Sequence, residues 1–417
     1  MPCLAAWHYP TPYFFLSNAH PPQFDGSEEE DTSSNRNPHH PTPKRTIKIL
    51  LTMMAMLTDR EYDMPATSSS EEVLPDPTTY LNANDNYLYV NRLQSGPASQ
   101  VFQLLTRGDD RNPTGEWFVI KFFEKENEFL RERDMLILFL HNTHVITGYG
   151  TFRYGKWFGI AMENAEGGDC CDALIMNWNM LTVSLREHGV PFYFHQVMQA
   201  MYSIHKAGVA SCDLKWENFV IQKDEYGTNI LRLIDFAYSQ QIYHHDGERI
   251  HYDFPQGTLL YLSPDTIKRE DVTGTCTWEY YVDDCDRWSA GIMLFMLVFG
   301  MHPFVAFFMG VQSWEEDKPQ QGKKVMDPCT LLALYEKDPC FAFVAGTMSS
   351  EQFWTNVDAN VDANAMRVHT ADVHPTLLRF LERCVGGRDR FPDTQTMSDE
   401  WMNVKYAIQD EHYTTVN

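Results

Sequence analysis

The sequence predicts an α+β fold of two lobes: a small β-rich N-lobe with one main helix, then a larger, mainly helical C-lobe. Three observations carry this. Five strand-like runs lie between Tyr87 and Met162, around one stretch with helical spacing. Beyond residue 163 the apolar pattern turns mainly helical, most clearly over Tyr193–His205 and Trp288–Val298. Strands first and helices afterwards segregate the two kinds of element.

The elements follow in order. Residues 1–86 read as a tail. Residues 1–79 hold 11 of the 22 prolines, and few apolar residues recur there at any period. Such a segment buries too little surface to offset its ordering entropy, which predicts disorder. Order begins near Tyr87. Tyr87–Leu93 and Val101–Thr106 read as strands about a Gly/Pro/Ser turn, and Trp117–Phe123 as a third strand rich in aromatic and β-branched residues. Glu124–Leu140 has helical spacing, with Phe129, Leu130, Met135, Leu136 and Phe139 among charges. Two more strands follow near Val145–Arg153 and Trp157–Met162. The ordered domain is expected over 87–407, with its N-lobe at 87–162, hinge and C-lobe at 163–407, and a short tail at 408–417. Within the C-lobe, 305–370 is too irregular to divide, and the VDAN-like repeats of Asn356–Asn364 read as a surface loop.

Composition narrows the partners. The 417 residues carry a net charge of −24. Residues 1–86 hold five of the 33 basic and twelve of the 57 acidic residues, a net of −7, so −17 belongs to the folded part. Such a field repels nucleic acid and anionic membrane and favours cationic partners. The longest apolar run, Ile49–Leu57, is interrupted by Thr52 and falls short of the roughly 18 residues a membrane helix needs. Nine cysteines with no CxxC pair fit neither a disulfide framework nor a zinc site, and predict reduced thiols in the cytoplasm. Nothing in the sequence specifies an oligomeric state.

Four segments carry chemistry. Leu93-Gln94-Ser95-Gly96-Pro97-Ala98-Ser99-Gln100-Val101 lies between two strands, where a loop can fold over phosphates through backbone N–H groups. Val119-Ile120-Lys121 puts an ammonium on an apolar strand, where it needs an anionic partner, and Glu132 on the next helix supplies one. His205-Lys206-Ala207-Gly208 ends a helix, and the loop beyond presents Asp213, Lys215 and Asn218 within six residues. A carboxylate can deprotonate a hydroxyl, a lysine can neutralise a phosphoryl oxygen, and an Asn oxygen can bind Mg²⁺. Leu233-Ile234-Asp235-Phe236-Ala237 ends a strand in an Asp that can make a second metal contact.

In this order, these segments resemble the signature set of the eukaryotic protein kinases, in a divergent Ser/Thr form. The match covers about three quarters of the chain. Met162-Glu163-Asn164-Ala165 resembles the gatekeeper and hinge, Gly257–Asp265 the end of the activation segment, and Asp286-Arg287-Trp288 the start of the buried helix behind it. Arg390 falls where the family's late arginine pairs with the carboxylate that Asp265 supplies here. The resemblance implies ATP and Mg²⁺ as cofactors and a protein as substrate. It implies Asp213 as catalytic base, Lys215 on the transferred phosphoryl group, and Asn218 and Asp235 on Mg²⁺. Gly96 and Val101 would cover the nucleotide, Lys121 paired with Glu132 would hold its α/β-phosphates, and the chain at Met162, Glu163 and Ala165 would bind adenine. Lys215 with Thr258 resembles the Ser/Thr branch. Asp169 and Glu217 fall where basophilic members read substrate arginines, which implies basic residues before the target hydroxyl.

The departures set up a second reading. Gln94 and Ser99 stand where the family's loop has glycines, and Ala237 replaces the glycine of Asp-Phe-Gly, so that segment is expected to flip less readily. Ser211-Cys212-Asp213 lacks the arginine that receives the activation-segment phosphate, and Phe254, three residues before Gly257, stands where that phosphate sits. The two losses agree and predict a kinase not switched on at that place. Cys212 is expected to pack rather than to react, because neighbouring Asp213 raises a thiol pKa. The alternative is a pseudokinase, an ATP-binding or scaffolding module without transfer. A lipid or metabolite kinase fits the acidic surface and the Gly257–Asp265 segment least well.

Overall fold

The structure is a computed structural model that describes residues 77–82, 87–95, 99–106, 115–176, 183–254, 256–270, 274–316, 326–364, 366, 368–386 and 390–416. They divide into two compact units. The first comprises residues up to Arg133 with Thr147–Asn164, and the second Asp134–Ile146 with Ala165 to the C-terminus. The sequence put the corresponding division two residues earlier, at Met162/Glu163.

The first unit is built on one antiparallel sheet. Its strands are β1 (Tyr87–Ser95), β2 (Ser99–Thr106), β3 (Trp117–Phe123), β4 (Gly148–Tyr154) and β5 (Trp157–Glu163), in the order β1-β2-β3-β5-β4. Central β3 is buried on both faces, so its residues read as an apolar run rather than an alternation. Phe102, Phe118, Phe122, Phe152 and Trp157 form the core on one face. Edge-to-face contacts such as Phe122 on Phe152, with centroids 5.4 Å apart, fix their packing. On the other face, Phe123 and Phe158 meet Phe129 of helix α2 (Glu126–Leu138).

Order begins before Tyr87. Pro77–Asn82 is a helix, α1, and its Leu81, 1% exposed, joins the first core. One apolar side chain on a single turn has no period, so this element left no pattern to read. Residues 1–76 lie outside the described residues.

The second unit is mainly helical. Its α-helices among the described residues are α3 (Val183–Lys206), α4 (Val282–Phe299), α5 (Val305–Glu316), α6 (Pro328–Glu336), α7 (Phe341–Val344), α8 (Ser350–Ala363), α9 (Pro375–Val385) and α10 (Thr394–Val416). Helix α4 is the centre: of its 18 residues all but Asp284 are buried. Gly291 allows α9 to approach closely, since a Cβ there would lie 2.5 Å from the Cβ of Cys384. Short strand pairs β6 (Val209–Ala210) with β9 (Gln240–Gln241), and β7 (Phe219–Lys223) with β8 (Asn229–Leu233), flank the loop at residues 211–218. A third pair joins β10 (Ile267–Arg269) to β11 (Cys276–Trp278).

Two expectations are corrected here. Asn356–Asn364 is no surface loop: it falls in α8 up to Ala363, with Asn364 capping the helix. Ser349 and Gln352 form a reciprocal capping box, and Phe353, Trp354, Val357 and Val361 are buried at helical spacing. The expected tail at 408–417 is also helical, because α10 continues past Ala407 to Val416. Among the described residues, no helix is long and apolar enough to cross a membrane.

Candidate active site

In the first unit, β3 and α2 bring Lys121 and Glu132 together. Lys121 alternates away from the Phe118–Ile120–Phe122 core and pairs in register with Val101 and Ile160. Its Nζ lies 3.2 Å from Glu132 Oε1, with side-chain exposures of 6% and 1%. The ammonium also sits 5.0 Å from the centre of the Phe123 ring. A buried pair of this kind contributes little net stability, since desolvation offsets the attraction. What the arrangement supplies is a fixed cation.

The β1–β2 turn differs from its sequence reading. Gln94 and Ser99 are strand residues, paired with Val101 and Phe123. Gly96 lies outside the described residues. Met162, buried, and Glu163 end β5 in the first unit, and Glu163 donates its backbone N–H to Thr147 at 2.9 Å. Ala165 belongs to the second unit.

The second unit gathers Asp213, Lys215 and Asn218 around one hydroxyl. Lys215 Nζ donates to Thr258 Oγ1 at 2.7 Å, and Thr258 donates onward to Asp213 Oδ1 at 2.7 Å. Lys215 Nζ also lies 2.9 Å from Asp213 Oδ2. The Asn218 amide donates to the Asp213 carbonyl at 2.8 Å and to its carboxylate at 3.1 Å. With the amide N–H₂ so engaged, the Asn218 oxygen remains to bind a cation. Gly257 makes the approach possible. Its φ is +93°, and a Cβ there would stand 2.2 Å from the Cys212 carbonyl. Burial pulls the Lys215 pKa down, but Asp213 and Glu217 outweigh it and hold the ammonium above its ordinary value.

Two non-glycine residues have positive φ among the described residues, Cys212 at 60° and Asp235 at 64°. Such backbone costs about 1–3 kcal/mol each and persists where its surroundings over-determine it. Asp286 does so for the catalytic loop. Its carboxylate, fully buried on α4, accepts the backbone N–H of Ser211 at 2.7 Å and of Cys212 at 2.9 Å, and lies 2.9 Å from His205 Nε2. The sequence reading placed Asp286 only at the start of a helix. Its charged neighbours Asp283, Asp284 and Arg287 hid it, since nothing local marks which of these acids is fully buried and must find donors. For Asp235, the carboxylate accepts the Ala237 N–H at 3.2 Å, and Phe236 stacks on Phe139 at 5.8 Å. The positive φ falls on Asp235 and not on Ala237, so the Ala237 Cβ meets no left-handed penalty here.

Where the resemblance leads one to look for an arginine and a phosphate, the chain has an apolar cluster. Cys212 packs with Ala210, Ile242, Tyr252, Tyr280, Val282 and Cys285. Tyr252 and Tyr280 exchange backbone hydrogen bonds of 2.9 and 3.1 Å, and the Tyr280 hydroxyl donates to the Phe254 carbonyl. Arg249 fastens the same segment to Asp283 and Asp284 and lies 4.0 Å over Tyr281. Burial, with Asp286, Cys285 and Asp213 nearby, pushes the Cys212 thiol far above its ordinary pKa, so it packs and does not react. Arg390 forms the expected ion pair with Asp265 and lies 4.6 Å over the Trp288 ring.

The donor sets suit the implied cofactors. Asn218 and Asp235 offer the oxygen ligands that Mg²⁺ takes, and Lys121 is a buried cation in a strongly acidic chain.

Comparison with known proteins identifies the family. The protein kinase domain family matches residues 87–384, and the chain belongs to that family. It is 28% identical over 235 residues to the serine/threonine-protein kinase cds1 of Schizosaccharomyces pombe, covering 54% of this chain and 46% of that one. It is 26% identical over 231 residues to the smooth muscle myosin light chain kinase of Gallus gallus, covering 54% of this chain and 11% of that one. It is 30% identical over 191 residues to the citron rho-interacting kinase of Rattus norvegicus, covering 43% and 8%. The chain thus spans less than half the length of each of these relatives.

Proposed function

We propose that the chain transfers the γ-phosphate of ATP to Ser or Thr hydroxyls of protein substrates in the cytoplasm. One observation carries this reading: Thr258 joins Lys215 to Asp213 through a single hydroxyl, with Asn218 braced on the same carboxylate. A domain that only bound nucleotide would have no need of that arrangement. ATP would supply the phosphoryl group, and Mg²⁺ would neutralise its developing charge. Lys121 would hold the α/β-phosphates, and Asn218 and Asp235 the metal. Asp213 orients the substrate hydroxyl and takes its proton. Lys215 neutralises charge on the transferred group. The names of the relatives and the Lys215–Thr258 bond support Ser/Thr selectivity.

The reading extends to two finer points. Glu217 and Asp169 would select substrates with Arg or Lys before the target hydroxyl. Their carboxyls are raised above ordinary values by burial, Glu217 being only partly offset by Lys215. An incoming guanidinium would restore the charge that burial disfavours. The activation segment would stay ordered without phosphate, because apolar burial at Cys212 and Tyr252 needs no modification.

The test is transfer of label from γ-labelled ATP with Mg²⁺ to a mixed basic and acidic peptide library. Asp213→Asn and Asp235→Asn serve as controls. The expected result is label with the wild type, lost in both controls and richest on basic peptides. Wild-type signal no higher than the controls across substrates and metals would leave a pseudokinase.

A further inference from the structure

A cavity of about 590 Å³ opens in the second unit among α3, the β7–β8 turn, the middle of α10 and Thr143-His144. Phe192, Ile230 and Ile408 give it an apolar wall. Lys405, His144 and His195 also line it, and no Asp or Glu does. In a chain of net charge −24, an acid-free cavity holding a lysine runs against the overall charge. The Nδ1 atoms of His144 and His195 are buried with no hydrogen-bond partner among the described residues. Burial alone lowers the Lys405 ammonium, with no carboxylate to hold it up. His195 is lowered to about 4, chiefly by burial and further by Lys405 and His144, so these three groups feel one another and His195 is neutral at pH 7.

Buried polar atoms without partners are costly, and a fold retains them where a ligand completes them. We propose that this cavity binds a small amphipathic anion, a carboxylate on an apolar body. Lys405 would pair with the carboxylate, and the neutral imidazole of His195 would donate its Nδ1–H to it. The apolar body would lie against Phe192, Ile230 and Ile408. The volume is within the range of about 300–1,000 Å³ common to small-molecule sites. The phosphotransfer machinery supplies no part of this lining, so the site is separate from the nucleotide.

Calorimetric titration of the full chain at pH 7 tests this, with 1-naphthoate as probe and naphthalene-1-methanol as its uncharged counterpart. The expected result is one 1-naphthoate per chain, bound about tenfold more tightly than the alcohol, as one charge-assisted pair provides. Lys405→Met should bring the two probes to equal affinity. Lys405→Arg should keep the preference, and Ile408→Trp, filling the cavity, should abolish binding. ATP with Mg²⁺ should not displace the probe. Circular dichroism checks that each variant is folded; should Lys405→Met unfold, the two probes on wild-type protein still decide. No binding at millimolar 1-naphthoate, equal binding of both probes to wild type, an unchanged preference in Lys405→Met, or displacement by ATP would each overturn the proposal.

Discussion

On one flank of Cys212-Asp213 the catalytic loop meets Lys215, Thr258 and Asn218 through hydrogen bonds of 2.7–3.1 Å. On the other it meets Tyr252, Tyr280 and Cys285 through apolar contact. The polar flank keeps every charge its proposed chemistry needs, and the apolar flank has replaced an arginine with a thiol. The difference teaches that chemistry and its control are separable. Proton and phosphoryl transfer demand particular atoms at particular places. Holding a segment in place demands only enough binding energy, which hydrogen bonds to a phosphate or buried side chains can supply equally. Burying one side chain of this size contributes about 1.5–3 kcal/mol.

Asp213→Asn should have the largest effect, a fall in kcat of about 10³-fold in the transfer assay with the thermal midpoint little changed. A large loss of stability instead would mean that the polar flank is structural. Asp286→Ala should damage both flanks. It leaves the Ser211 and Cys212 N–H groups buried without an acceptor, a cost of about 3 kcal/mol or more by denaturant unfolding, together with lost activity. Cys212→Arg should break the apolar flank alone. An unpaired guanidinium in that cluster should destabilise by roughly 3 kcal/mol. Adding Phe254→Glu, at a half-exposed position, should recover part of the loss by giving the cation a partner.

Glu217→Gln should have the smallest effect. KM for an Arg-containing peptide should rise roughly fivefold, as one semi-exposed charge pair of about 1 kcal/mol provides, with kcat unchanged. The pH dependence has a definite sign. Burial raises the Glu217 carboxyl above its ordinary 4.5, so it loses its charge at a higher pH than an exposed glutamate. KM for the basic peptide should therefore climb as pH falls towards that range, and Glu217→Gln should flatten the climb.

The sequence showed most of the polar flank because its residue types are few and their spacing is local: Asp213, Lys215 and Asn218 lie within six positions, while Thr258 comes from more than 40 residues away. Lys121 with Glu132 was legible for a related reason, since a lysine on an apolar strand needs a nearby acid. Asp286 was harder to see, because its partners lie 74 to 81 residues away and only the fold brings them together. The apolar flank was legible only as two absences, at Cys212 and Phe254. What fills them comes from Ile242, Tyr252, Tyr280 and Cys285, which share no period. Helix α8 shows the opposite failure. The VDAN repeat suggested a loop, while the capping pair Ser349 and Gln352 and the buried spacing from Phe353 to Val361 pointed to a helix.

The most direct test compares phosphate transfer by the chain before and after treatment with a phosphatase, with Asp213→Asn beside both. The account predicts equal initial rates from treated and untreated protein and none from Asp213→Asn. Transfer by the untreated protein alone would show that a phosphate, and not the Cys212–Tyr252–Tyr280 cluster, holds the segment. No transfer by either would contradict the kinase reading itself.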